Sequence, residues 1–178
     1  MKNISTPLGN EVLDLKAGDQ ITLSGIIYTA RDEAHLHMQT EGIPFDPKGA
    51  AIYHCGPVIQ DDRIVAAGPT TSARMNNISG FLIESGVRVI IGKGGMGGLF
   101  AEQLKGKAVY LAFTGGCAAL AASRMKLKGV YFKKLGMAEA VWVIEVDHLP
   151  LTVGMDAHGK DLFSEVKERA AEKFKAKF

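Results

Sequence analysis

Three stretches of this sequence carry side chains whose types and spacing could do chemistry. Thr70 and Arg74 are four residues apart at a predicted helix start, so their side chains can share one face. Such a helix would aim unpaired N–H groups and a partial positive charge at an anion, and Arg74 would add a two-pronged fork suited to a carboxylate. The plainer alternative is that Thr70 or Thr71 caps the helix and Arg74 is a surface side chain. Lys93 stands inside Gly92-Lys-Gly-Gly-Met-Gly97, which formally fits G-x-G-x-x-G between a predicted strand and a predicted helix. A dinucleotide site would need an acidic residue further on, yet no Asp or Glu occurs from Lys105 to Lys134, and the order does not suit a phosphate loop. A lysine offered to an anion by a flexible loop, or a tight turn with an exposed lysine, are the readings that stand.

The third stretch, Arg31-Asp-Glu-Ala-His35, sets a cation, two acids and a histidine within five residues, with His37 just beyond. In a strand His35 and His37 would share a face as a metal pair. No third ligand stands at a recognisable spacing, so a hydrogen-bonded structural role is expected for His35. Cys55 and Cys117 lie outside any C-x-x-C and read as buried packing residues rather than cluster ligands. Trp142, in an apolar run, reads as core.

These side chains need elements to position them. Asp19–Thr29 alternates and is rich in β-branched residues, so it reads as a strand. Arg31–Thr40 is open between strand extension and a short helix. Ala50–Cys55 is a short buried strand ended by Gly56-Pro57. A helix is predicted from Thr70 to about Ser85, with Met75, Ile78 and Leu82 at helical spacing and Gly86 closing it. Strands follow at Val87–Gly92, Ala108–Phe113 and Val141–Val146, with a helix at Leu99–Leu104. Residues Ser164–Phe178 form an amphipathic terminal helix with Val166, Ala170, Phe174 and Phe178 on one side. The alternation predicts an α/β domain with a mixed sheet, its glycine-rich loops at strand ends where ligand sites of open α/β sheets lie.

The 178 residues amount to one domain, with 47% hydrophobic and 22% charged residues. A formal net charge of +2 gives no ground for nucleic acid or an anionic membrane as partner. The closing Lys173, Lys175 and Lys177 read as the solvated face of the terminal helix. No apolar run approaches the ~20 residues of a membrane span. The first residues carry acids and lack an apolar core, unlike a secretory signal, so the cytoplasm is the expected compartment.

Six segments, in order, resemble the β subunit, or C-terminal domain, of class I iron–sulfur fumarate hydratases and the related L-tartrate dehydratases. They are Ser24-Gly-Ile-Ile-Tyr-Thr-Ala-Arg31-Asp-Glu-Ala-His35, His54-Cys-Gly-Pro57, Gly68-Pro-Thr-Thr-Ser-Ala-Arg74-Met75, Gly92-Lys93-Gly-Gly-Met96, Gly115-Gly-Cys-Ala-Ala-Leu120 and Leu135-Gly-Met-Ala-Glu-Ala-Val-Trp142. The resemblance implies a swivelling β/β/α domain that works with a larger α region. In that family three cysteines of the α region hold a [4Fe–4S] cluster, so here the cluster would come from a separate α subunit in a hetero-oligomer. It also implies that Thr70 is the catalytic base and that Arg31, Arg74 and Lys93 bind the carboxylates of a small dicarboxylate substrate; no metal ligand falls on this chain. Single-chain fumarases read T-T-A-G-R and K-G-N where this sequence has Thr70-Thr-Ser-Ala-Arg74 and Lys93-Gly-Gly. The forms here are those of two-subunit members, which include fumarases that interconvert fumarate and (S)-malate and dehydratases that convert tartrate to oxaloacetate. Fumarate hydratase is the leading expectation, tartrate dehydratase the close alternative, and a stand-alone anion- or nucleotide-binding module the reading from another class.

Overall fold

A computed structural model describes residues 2–97 and 99–177 of the chain. Its strands are β1 (Lys2–Ser5), β2 (Gln20–Thr29), β3 (Ala51–Tyr53), β4 (Val58–Gln60), β5 (Arg63–Ala66), β6 (Val89–Gly92), β7 (Val109–Ala112), β8 (Met125–Tyr131) and β9 (Val141–Met155). β1, β2, β3, β6 and β7 lie side by side in parallel, while β9 runs antiparallel to β7, β8 and β2. Because β9 pairs with both β7 and β2, the strands β2, β3, β6, β7 and β9 close on themselves into a small barrel. The expected mixed α/β sheet is therefore present, in closed form. β4 and β5 make a separate hairpin.

The parallel strands alternate strictly. Ala51, Tyr53, Val89, Ile91, Val109 and Leu111 join one apolar cluster, and Ile52, Ile90 and Tyr110 between them join another. The second cluster also holds Met38, Leu82, Phe100 and Leu104, from the helices α1 (Asp32–Glu41), α2 (Gly80–Glu84) and α3 (Leu99–Leu104). A five-stranded circuit has no room for helices inside, so that cluster coats the outer face, and the strand residues of the first face the barrel interior. Burial on both faces is why these strands read as continuous apolar runs.

Local chemistry corrects several expectations. Arg31–Thr40 resolves as a helix, so His35 and His37 diverge: His35 is buried, while His37 packs edge-on against Phe132 with ring centroids 4.4 Å apart. The helix predicted from Thr70 to Ser85 is broken. A 3-10 turn at Ser72–Met75 is followed by irregular turns through Asn76-Asn77 before α2 begins at Gly80. Asparagine side chains compete for backbone groups, and Thr70 spends its own N–H and C=O elsewhere, so no continuous helix forms. The helix-terminus anion site expected at Thr70 is accordingly absent. Gly86 does end α2 with φ +107, as its position required.

The chain also contains α4 (Ala118–Ala122) and α5 (Leu162–Lys175). Helix α5 is amphipathic as read, but Val166 and Phe174 on its apolar side are exposed, at 46% and 65%. Phe178 of that expected face, like Gly98 of the glycine loop, lies outside the described residues. Cys55 and Trp142 are buried as expected, whereas Cys117 is half-buried.

Candidate active site

The site is built where β3 and β6 part company. They pair through Tyr53 and Ile91, and His54 N–H still reaches the Ile91 carbonyl at 2.8 Å. Beyond that point the strands splay, and Pro69–Thr71 wedges between their ends like an extra strand. Thr70 N–H donates to the His54 carbonyl at 2.7 Å, and Lys93 N–H donates to the Thr70 carbonyl at 3.2 Å. Cys55 bridges Pro69 on one side and Lys93 bridges Thr71 on the other. The backbone thus places Thr70 and Lys93 side by side at the carboxyl edge of parallel strands, where α/β folds carry their sites.

Arg31 lies just past the end of β2, which pairs with β3, and Arg74 lies in the 3-10 turn. All four residues singled out in the sequence, Arg31, Thr70, Arg74 and Lys93, therefore reach one rim. Arg74 Nη2 donates to Thr70 Oγ1 at 3.0 Å, so their spacing of four brings them together even without the helix. Arg74 also grips Asp32 through two parallel bonds, Nε to Oδ1 at 3.0 Å and Nη2 to Oδ2 at 2.9 Å. The guanidinium holds the Asp32 carboxyl below its usual range, and the carboxylate raises Arg74 in turn. Arg31 Nε stands 3.3 Å from Glu139 Oε1, an ion pair without hydrogen-bond alignment. Glu139 spends its other oxygen on Glu33 N–H at 3.0 Å, capping the first turn of α1. Arg31 lies over Gly56, where a Cβ would meet its Nη1 at 2.9 Å.

Three cations therefore face two internal carboxylates, leaving the rim less positive than the sequence motifs imply. Asp32 and Glu139 were missed as site residues. Asp32 sits inside the Arg31–His35 motif and could have been suspected; Glu139 is more than one hundred residues from its partner and could not.

Cys55 does not fit a cluster. Its thiol is 1% exposed and burial pushes its pKa up to about 12, whereas iron is bound by thiolate. Among the described residues no three His, Cys, Asp or Glu side chains group to hold a metal ion.

Beneath the rim, His54, Ser72 and Tyr110 form a buried polar chain. His54 Nδ1 is 2.9 Å from Ser72 Oγ, Ser72 Oγ is 3.0 Å from Tyr110 OH, and Tyr110 OH is 2.6 Å from the Gly94 carbonyl. Gly92 is needed for this: any Cβ there would collide with Ser72 Oγ.

Comparison with known proteins places the chain in a family. The family model for the fumarase C-terminus matches residues 3–166. The L(+)-tartrate dehydratase subunit beta of Escherichia coli K12 is 39% identical over 183 residues, spanning 97% of this chain and 91% of that one. A Methanocaldococcus jannaschii protein, provisionally assigned as an L(+)-tartrate dehydratase subunit beta, is 45% identical over 177 residues, spanning 92% and 91%. A Geobacillus stearothermophilus protein, provisionally assigned as a class I fumarate hydratase, is 37% identical over 179 residues, spanning 96% of this chain but 35% of that one. With most of its length matched, and with relatives among the β subunits of water-eliminating enzymes, the chain belongs to the fumarase C-terminus family.

Proposed function

We propose that the chain is the β subunit of a two-subunit hydro-lyase acting on a four-carbon hydroxy-diacid, with Thr70 as the base that moves the carbon-bound proton. The observation that carries this reading is the bond from Arg74 Nη2 to Thr70 Oγ1. A threonine hydroxyl is a weak base, and a guanidinium donor on its oxygen favours the alkoxide. Because that bond uses an oxygen lone pair, the hydroxyl's own proton is free to point elsewhere.

Arg31, Arg74 and Lys93 are assigned to the substrate carboxylates. Holding the carboxylate next to the reacting carbon stabilises the charge that builds there as the proton leaves. The hydroxyl on the neighbouring carbon departs as the double bond forms, so one water is lost per turnover. With tartrate the product is the enol of oxaloacetate; with malate it is fumarate. The [4Fe–4S] cluster of the proposed α subunit would supply Lewis-acid chemistry at the departing hydroxyl. The cytoplasm is the proposed setting.

Separate-chain relatives bearing tartrate dehydratase names support L-tartrate as the first substrate to test, ahead of fumarate and malate. The test is an anaerobic assay of this chain co-purified with its cluster-bearing α subunit, offered both tartrates, fumarate and malate separately. Activity requiring both chains is expected. A stable, cluster-loaded complex inactive on all four would overturn the reading.

A further inference from the structure

The buried chain beneath the rim has a direction, fixed by counting protons. The Gly94 carbonyl can only accept, so the one hydroxyl proton of Tyr110 goes to it at 2.6 Å. With that proton committed, Tyr110 OH can meet Ser72 Oγ, 3.0 Å away, only as acceptor, so the Ser72 hydroxyl donates to it. Ser72 Oγ in turn can meet His54 Nδ1, 2.9 Å away, only as acceptor. The proton on the His54 ring therefore sits on Nδ1. Complete burial holds that ring neutral, which leaves Nε2 bare, and Nε2 has no hydrogen-bond partner among the described residues. His35 follows the same logic: its Nδ1 lies 2.7 Å from the Arg31 carbonyl, which can only accept, and its Nε2 is likewise unpartnered. The two rings meet edge-on with centroids 5.2 Å apart.

Such a chain is a poor proton wire. It ends on a backbone carbonyl, and none of its bonds reaches Thr70 Oγ1. What it does join is backbone. The His54 carbonyl receives Thr70 N–H, Ser72 N–H donates to the Lys93 carbonyl at 3.1 Å, and Tyr110 fastens Gly94, the residue after Lys93. We propose that His54, Ser72 and Tyr110 are positioning residues that fix Thr70 relative to Lys93 through a single run of donors beginning at His54 Nδ1. The inference rests on the proposed roles of Thr70 and Lys93.

Two substitutions of His54 separate the donor from its bulk. Asparagine places a side-chain N–H near the position of Nδ1, whereas glutamine is nearer histidine in size but carries its N–H out toward Nε2. In the assembled, cluster-loaded enzyme, His54→Asn is expected to keep kcat within about threefold of wild type. His54→Gln and Tyr110→Phe are expected to lower it roughly ten- to a hundredfold, as displaced reacting groups do. If His54→Gln matches or exceeds His54→Asn, the residue is packing alone and the proposal fails. If both are inactive in intact complexes, a function of Nε2 is indicated and the proposal also fails. Tyr110→Phe, which keeps the ring, repeats the test should the His54 variants not fold; unchanged kcat there overturns it. An inactive wild-type complex would instead indict the assigned function, and a second readout then stands by itself. Long-range proton–nitrogen spectra of the full chain should show His54 protonated on Nδ1 from about pH 5 to 9; a proton on Nε2 sinks the proposal.

Discussion

Arg74 and Asp32 are locked face to face by two parallel hydrogen bonds, and the nitrogen that completes the pair also holds the Thr70 hydroxyl. Asp32 thereby sets the plane of the guanidinium that Thr70 depends on. In Asp32→Asn the fork loses its charge partner, and we expect kcat of the assembled enzyme to fall roughly tenfold or more while KM does not rise. Steady-state kinetics separate the two; a higher KM with unchanged kcat would place Asp32 in substrate binding instead.

The same pair gives a pH signature. The folded-state pKa of Asp32 is depressed, so its stabilisation is present above the ordinary carboxylate range and is lost as pH falls through the lower folded value. Both side chains are about a third or more exposed, so the contribution is small, at most about 1 kcal/mol. Denaturant titrations should find Asp32→Asn slightly less stable than wild type at neutral pH, with the gap closing below about pH 4.

The buried histidines act in the same sense, at higher pH. Burial lowers His35 to about 4 and His54 well below its usual value, so between roughly pH 6.5 and 4 the unfolded chain takes up protons that the folded chain refuses. Stability should therefore drop on acidification by up to about 1.4 kcal/mol per pH unit per histidine. His54→Asn should flatten that slope, and a slope unchanged by the substitution would mean that His54 is accessible to protons in the native state.

The two roles of Thr70 can be separated by substitution. Its backbone bonds hold the rim, and its hydroxyl is assigned to proton transfer, so Thr70→Ala should leave the melting temperature nearly unchanged and lower kcat about 10²–10⁴-fold. Thr70→Ser should recover much of the loss. Near-normal turnover in the alanine variant would remove Thr70 from the role of base.

Glycines of one loop should respond very differently. A Cβ on Gly92 would collide with Ser72 Oγ, while one on Gly97 would meet nothing within 4 Å. Gly92→Ala should cost about 1–3 kcal/mol of stability, and Gly97→Ala should fall within about 0.5 kcal/mol of wild type. Chemical denaturation of the two variants decides it.

Strands β2, β3, β6, β7 and the first part of β9, with the α3 helix, were legible because their apolar patterns survive in any context; β1, β4, β5 and β8, short or broken by charged residues, were not read. The closed barrel was not, since closure depends on β9 running on past Val146 to Met155, through Asp147, His148 and Pro150, residues that argue for a strand's end. The helix expected from Thr70 failed for a related reason: its apolar spacing is real, but the ends of β3 and β6 claim the backbone of Thr70 first. The Thr70–Arg74 pairing was readable from spacing. That Glu139 would oppose Arg31 was not, because Glu139 is supplied by a distant loop.

The wedge of Pro69–Thr71 between two strand ends has an evolutionary corollary. The hydrogen bonds that seat the backbones of Thr70 and Lys93 between these strand ends use main-chain atoms of both residues, which any amino acid but proline can provide. Mutation can therefore exchange the side chains that meet the substrate without disturbing the framework that presents them. A lineage built on this scaffold can drift from one diacid to another through single, separately tolerated steps.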